Sequence, residues 1–106
     1  MSGETPLLET VIDINAVSIE NAAMEDSTLM LVRLAALTAV NAPPASYLLN
    51  LGAAAESGLT MEDARSVLIA VAPIVGTPRV VAAAGAIAEA LGIAIALDEE
   101  LQSSTA

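Results

Sequence analysis

The chain has 106 residues, a net charge of −10 and a mean hydropathy of +0.72, with 56% hydrophobic residues and neither cysteine nor histidine. Thirteen acidic residues against three arginines and no lysine leave no basic footprint for nucleic acid, and argue equally against anionic lipid surfaces. Without Cys or His there is no disulfide, thiolate nucleophile, Cys/His metal site or imidazole base, so any chemistry falls to carboxylates, Tyr47, hydroxyls or arginine.

The first helix is predicted to begin at Thr5-Pro6, an N-cap followed by proline. Leu7, Leu8, Val11, Ile12, Ile14 and Ile19 recur at helical spacing opposite Glu9, Asp13 and Glu20, making this an amphipathic helix that ends near Ala22. Met24-Glu25-Asp26-Ser27 breaks it and caps a second helix, about 27–41, that is apolar nearly all round. Asn41 closes that helix, and a third starts at the Pro43-Pro44 corner and runs to about Ser57, with Gly58 suited to the left-handed position beyond its end.

Thr60-Met61-Glu62-Asp63 reads as a capping box opening a fourth helix that runs to about Val75, with Pro73 disturbing its last turn. Gly76-Thr77-Pro78 then stops that helix and starts a fifth, which is expected to end near Leu97. Gly85, Ala88 and Gly92 share one side of it, where another helix can approach closely. Residues 98–106 read as an acidic, flexible tail after a core of about 26–97. The whole chain reads as one all-α domain of about five helices, since no stretch sustains a period of two.

With no Phe, no Trp and a single Tyr, the apolar mass consists of small aliphatic side chains, which pack only where backbones come close. A domain of this size hides about 60–70% of its unfolded surface. That is too little for this composition, so a homo-oligomer with core-like interfaces is expected, kept in solution by its acidity. The N-terminus shows neither a basic segment nor a signal-peptide apolar run, which points to the cytoplasm. A membrane-spanning reading of the Val67–Leu97 segment is disfavoured because Gly76-Thr77-Pro78-Arg79 divides it.

The ordered combination TLMLVRLAALTAV, NAPPAS and LGAAAESGLTMEDARSVLIAVAPIVGTPRVVAAAGAIAEAL, covering Asp26 to Leu91, resembles the carboxymuconolactone decarboxylase family and its alkylhydroperoxidase D-like (AhpD-like) members. The resemblance implies a helical fold and a trimeric or hexameric ring. Peroxidase-type members carry a Cys-x-x-Cys, a following His and an upstream Glu. Those positions fall here on Pro43 and Ser46, on Asn50, and on Met30 or Leu31. Thiol peroxidase chemistry is therefore excluded. The lactone decarboxylase branch does not need the cysteines, although it generally uses a histidine that this chain lacks.

Arg33, set in an apolar helix, requires a partner: a structural ion pair or the carboxylate of a ligand. Tyr47 is expected either to pack with its hydroxyl bonded or to serve a ligand. Ser46 and Asn50 share a helix face beside it and would complete a small polar pocket with Arg33 and Tyr47. Glu89 is expected to lie buried beside alanine and leucine and to pair with an arginine; with Tyr47 and Arg33 it forms the candidate catalytic set. Arg79 is assigned a surface or interface salt bridge, with a ligand role as the alternative, and Arg65 a pairing with Glu62. No cofactor or metal is expected. The leading expectation is an oligomeric protein with a vacated active site that binds a small anionic or apolar molecule or serves as a structural subunit. The alternative is a decarboxylase or isomerase of a small carboxylated lactone.

Overall fold

The structure, a computed structural model, describes residues 5–105, with side-chain surroundings for all of these except 98 and 101–105. Five helices follow one another: α1 (Thr5–Asn21), α2 (Asp26–Ala39), α3 (Pro44–Glu56), α4 (Met61–Val75) and α5 (Thr77–Thr105). No strand occurs among the described residues, and the all-α architecture agrees with the sequence.

Local chemistry sets the helix ends. Asn41 takes a positive φ of 58° after α2, where the Ala42 N–H donates to the Leu37 carbonyl and the Asn41 N–H to Thr38, a Schellman arrangement. Gly58, at φ 88°, repeats it after α3, with Leu59 donating to Ala54 and Gly58 to Ala55. Pro43 stands in extended conformation as the N-cap of α3, and Pro44 occupies a first-turn position where no N–H is missed. Thr60 caps α4 by accepting from the Asp63 N–H at 3.1 Å, while the Asp63 carboxylate accepts from the Thr60 N–H at 3.0 Å. Gly76, at φ 92°, ends α4, and its carbonyl accepts the Val80 N–H of α5, so a single residue joins the two helices.

The core lies between α3 and α5. Tyr47, 3% exposed, sits against Ala83, Ala86, Ile87 and Ala90, with Leu34, Leu37, Leu48, Leu51, Leu68 and Leu91 around them. α2 runs through the middle of the bundle and touches α3, α4 and α5. Its Thr38 is fully buried and donates to the Leu34 carbonyl at 3.0 Å, so its hydroxyl is satisfied within its own helix.

Three elements differ from the sequence reading. α5 continues to Thr105 instead of ending near Leu97, because no Gly or Pro interrupts the chain after Gly92 and Glu, Leu and Gln sustain helix. Gly85, Ala88 and Gly92 face outward, and a Cβ built at Gly85 or Gly92 meets nothing within 4 Å, so this strip receives no helix of its own chain. α1 has the expected alternation of apolar and acidic residues but buries none of them, and Leu7, Leu8, Val11, Ile12, Ile14 and Val17 are all 45–65% exposed. The stretch Thr77–Leu97 of α5 is long and apolar enough to cross a membrane by length and composition, although its Ala83, Ala86, Ile87 and Ala90 face belongs to the bundle core.

The capping box makes Thr60 a stability residue. Thr60→Ala is expected to cost about 1 kcal/mol and to lower the thermal midpoint by roughly 4–8 °C, read by circular dichroism at 222 nm.

Candidate functional site

A partly open cavity of about 460 Å³ lies where α2, α3, α4 and α5 converge. Met30 and Leu34 of α2, Leu51 of α3, Ala64 of α4, and Ile87 and Leu91 of α5 make its wall almost wholly apolar. The polar exceptions are Arg33, Tyr47, Asn50 and Thr60, and the Thr60 hydroxyl already caps α4. No carboxylate lines the cavity among the described residues.

Sequence register explains which side chains arrive there. The Pro43-Pro44 corner fixes the start of α3, so Tyr47 falls one turn in and Asn50 one turn later on the same side. The Asn50 Nδ2 donates back to the Ser46 carbonyl at 3.0 Å, which orients the amide so that Oδ1 accepts from Arg33 Nη1 at 3.1 Å. Ser46 thus contributes through its backbone and does not line the cavity, whereas Arg33, Tyr47 and Asn50 of the same predicted group do. Of the positions where the resemblance placed redox groups, Met30 and Asn50 line the cavity, and Pro43 and Ser46 lie beside it in sequence at the head of α3.

Arg33 is half-buried and bonded only to neutral acceptors. Besides Asn50, its guanidinium donates to Asn15 Oδ1, to the Asn15 carbonyl at 3.5 Å and to Ser18 Oγ at 3.0 Å. Within the single chain the structural ion pair expected from its apolar setting is not present, since among the described residues no carboxylate lies within 4 Å of it; that expectation also covers a pair across a subunit interface. Glu89, expected to be buried and to pair with one of the arginines, is exposed, because the buried side of α5 is the one carrying Ala83, Ala86, Ile87 and Ala90. Arg79 makes no ion pair among the described residues of the single chain. Its Nη1 donates to the Ala39 carbonyl at the end of α2, placing a cation at the negative pole of that helix and bonding one of its orphan carbonyls. Arg65 and Glu62 form the predicted ion pair at 3.0 Å, fully in solvent.

The Tyr47 hydroxyl is buried and finds no hydrogen-bond partner among the described residues. A buried unpaired hydroxyl costs about 1–3 kcal/mol; Tyr47 lines the cavity as a residue, while its hydroxyl oxygen is closed off from it. Sequence reasoning missed Asn15 and Ser18. Their signal is faint: two polar residues three apart, interrupting the apolar series Ile14, Val17 and Ile19 on α1. No family model, curated protein or solved structure matches the chain.

Tyr47→Phe tests the state of the hydroxyl. Unfolding by urea is expected to show unchanged stability or a gain of up to about 1 kcal/mol. A loss of that size would mean that the hydroxyl is bonded within the folded chain.

Proposed function

We propose that the chain is a homo-oligomeric, carboxymuconolactone-decarboxylase-like protein that lacks thiol chemistry and binds a small molecule with an apolar body and an anionic or carbonyl end. One observation carries this reading: an apolar cavity whose wall holds a single charge among the described residues, Arg33, with no counter-ion among them. The guanidinium fork suits a carboxylate, and the aliphatic wall suits a hydrocarbon body. In the structural-subunit form of the same reading, a neighbouring copy fills this space instead.

Catalysis is the second reading, favoured by the meeting of Arg33 and Tyr47 in one cavity. A decarboxylase or isomerase of a small carboxylated lactone would use Arg33 to hold the carboxylate and Tyr47 to move a proton. Glu89 drops out of that scheme because it is exposed on another side of α5. With no carboxylate on the wall and no histidine in the chain, the cavity is short of a base at neutral pH, and this favours binding over turnover.

A second copy of the chain is the partner that the apolar surface fits. α1 exposes an entire apolar face, and α5 exposes Val81, Ile93, Ile95 and Leu97 beside its strip of small residues. Apolar side chains grouped on one exposed face suit a protein–protein contact. Thirteen acidic side chains keep the assembled particle soluble.

Octanoate, an eight-carbon carboxylate, is the probe for the cavity. Calorimetry is expected to show one octanoate per chain, with affinity reduced about tenfold or more in Arg33→Gln, as the loss of a charge-assisted bond requires. Equal affinity in the variant would remove Arg33 as the anchor, and no heat with either octanoate or 1-octanol would remove the cavity as a ligand site. Light scattering without detergent is expected to give a trimer or hexamer, and Leu8→Asp with Ile12→Asp to reduce its mass. A monomeric wild type at micromolar concentration would overturn the oligomer.

A further inference from the structure

We infer that Arg33 couples occupancy of the cavity to the attachment of α1, so that an anionic end group in the cavity draws the guanidinium away from Asn15 and Ser18 and frees α1 from the bundle. This inference rests on the binding reading above.

None of the described residues of α1 is buried, and its apolar side chains lie in solvent, so apolar packing contributes little to holding it on the bundle. Among the described residues, the side-chain hydrogen bonds between α1 and α2 all come from one side chain: Arg33 Nη1 to Asn15 Oδ1, and Nη2 to Ser18 Oγ and the Asn15 carbonyl. The same Nη1 donates to Asn50, and both Arg33 and Asn50 stand on the cavity wall. The two roles therefore draw on the same N–H groups.

All the acceptors now held by the fork are neutral. A carboxylate presented from the cavity accepts two parallel N–H bonds and adds the attraction of opposite charges, which the neutral acceptors lack. A two-bond contact uses Nη2, whether paired with Nη1 or with the Nε–H, which carries no bond among the described residues, and both acceptors of Nη2 lie on α1: Ser18 Oγ at 3.0 Å and the Asn15 carbonyl at 3.5 Å. A neutral apolar molecule of similar size fills the cavity without that demand and leaves α1 in place. The released helix is the one whose apolar face is proposed to meet a second copy, so the occupied state of the cavity reaches the subunit contact through Arg33.

Linkage makes the coupling testable, because a competition between α1 and an anion must appear in both directions. Octanoate and 1-octanol are titrated into the full chain and into the Asn15→Ala, Ser18→Ala double variant, and hydrogen exchange of residues 5–21 is followed in the wild type. The double variant is expected to bind octanoate about fivefold tighter or more, with 1-octanol affinity unchanged. Octanoate, and not 1-octanol, is expected to speed exchange in α1 of the wild type. Equal or weaker octanoate binding by a folded double variant overturns the coupling and leaves the cavity reading standing. Should that variant fail to fold, the wild-type exchange decides, and unchanged α1 protection at saturating octanoate overturns the coupling. Binding of 1-octanol without octanoate overturns the role of Arg33, and binding of neither overturns the cavity reading and the coupling together.

Discussion

One aromatic ring among alanines sets the geometry on which the bundle depends. A chain with a single Tyr and no Phe or Trp cannot space its helices with large side chains, so α5 offers Ala83, Ala86 and Ala90 to α3 and the backbones close on one another. Tyr47 is the one large body in that contact, and its place is determined by the Pro43-Pro44 corner, which starts α3 at a definite residue. The ring satisfies the packing requirement, but its hydroxyl has no such solution. It is buried with no partner among the described residues, while the residue itself lines the cavity. The demand for a packed core and the chemistry of the site are thus two consequences of the same residue.

The three arginines show how differently one charge can be accommodated in a helical chain with few cations. Arg65 pairs with Glu62 in solvent, where such a pair contributes little. Arg79, unfavourably placed in the first turn of its own helix, lies against the last carbonyl of α2, where the local field favours it. Arg33 has the hardest setting, half-buried beside an apolar cavity, and it is held by an asparagine on α3 and by two polar residues on α1. Its charge is hydrogen-bonded but not neutralised. That distinction matters: hydrogen bonds to neutral acceptors make the guanidinium tolerable, and an arriving anion still has a full charge to meet.

What the sequence made legible was local. Gly58, Gly76, Asn41, Pro44 and the Thr60/Asp63 pair mark helix ends through φ preferences and capping bonds that span at most five residues, and the observed boundaries follow them. The orientation of α5 was not legible, because it is apolar around most of its circumference and no stripe identifies its inner side. Glu89 was therefore expected inward and faces out, and the Gly85, Ala88 and Gly92 strip, expected only to admit another helix, is on the outer side too. The partners of Arg33 were hidden for another reason: Asn15 and Ser18 lie 18 and 15 residues away in sequence, and only the angle between α1 and α2 brings them to it. Arg33, Tyr47 and Asn50 were recognisable as a group since each is a polar exception in an apolar surrounding. Ser46 stood at the right spacing, but its carbonyl holds Asn50 and it has no place on the wall.

The position of Asn50 shows what the corner retains without redox residues. At the place where the family resemblance puts a histidine, an amide can orient a guanidinium and offer a remaining N–H, but it cannot accept a proton at neutral pH. Proline at the first position supplies helix initiation and no nucleophile. A wall built from a fixed cation, a phenol, an amide and hydrocarbon is thus well equipped to select a shape and one negative charge, and poorly equipped to transfer protons. The neutral acceptors around Arg33 sharpen the point. An enzyme that needed a rigid carboxylate anchor would gain from locking the guanidinium with a carboxylate of its own, and none stands there among the described residues. Leaving the fork on exchangeable neutral partners, two of them on a helix with no buried residue, fits a site whose occupancy is read out rather than turned over.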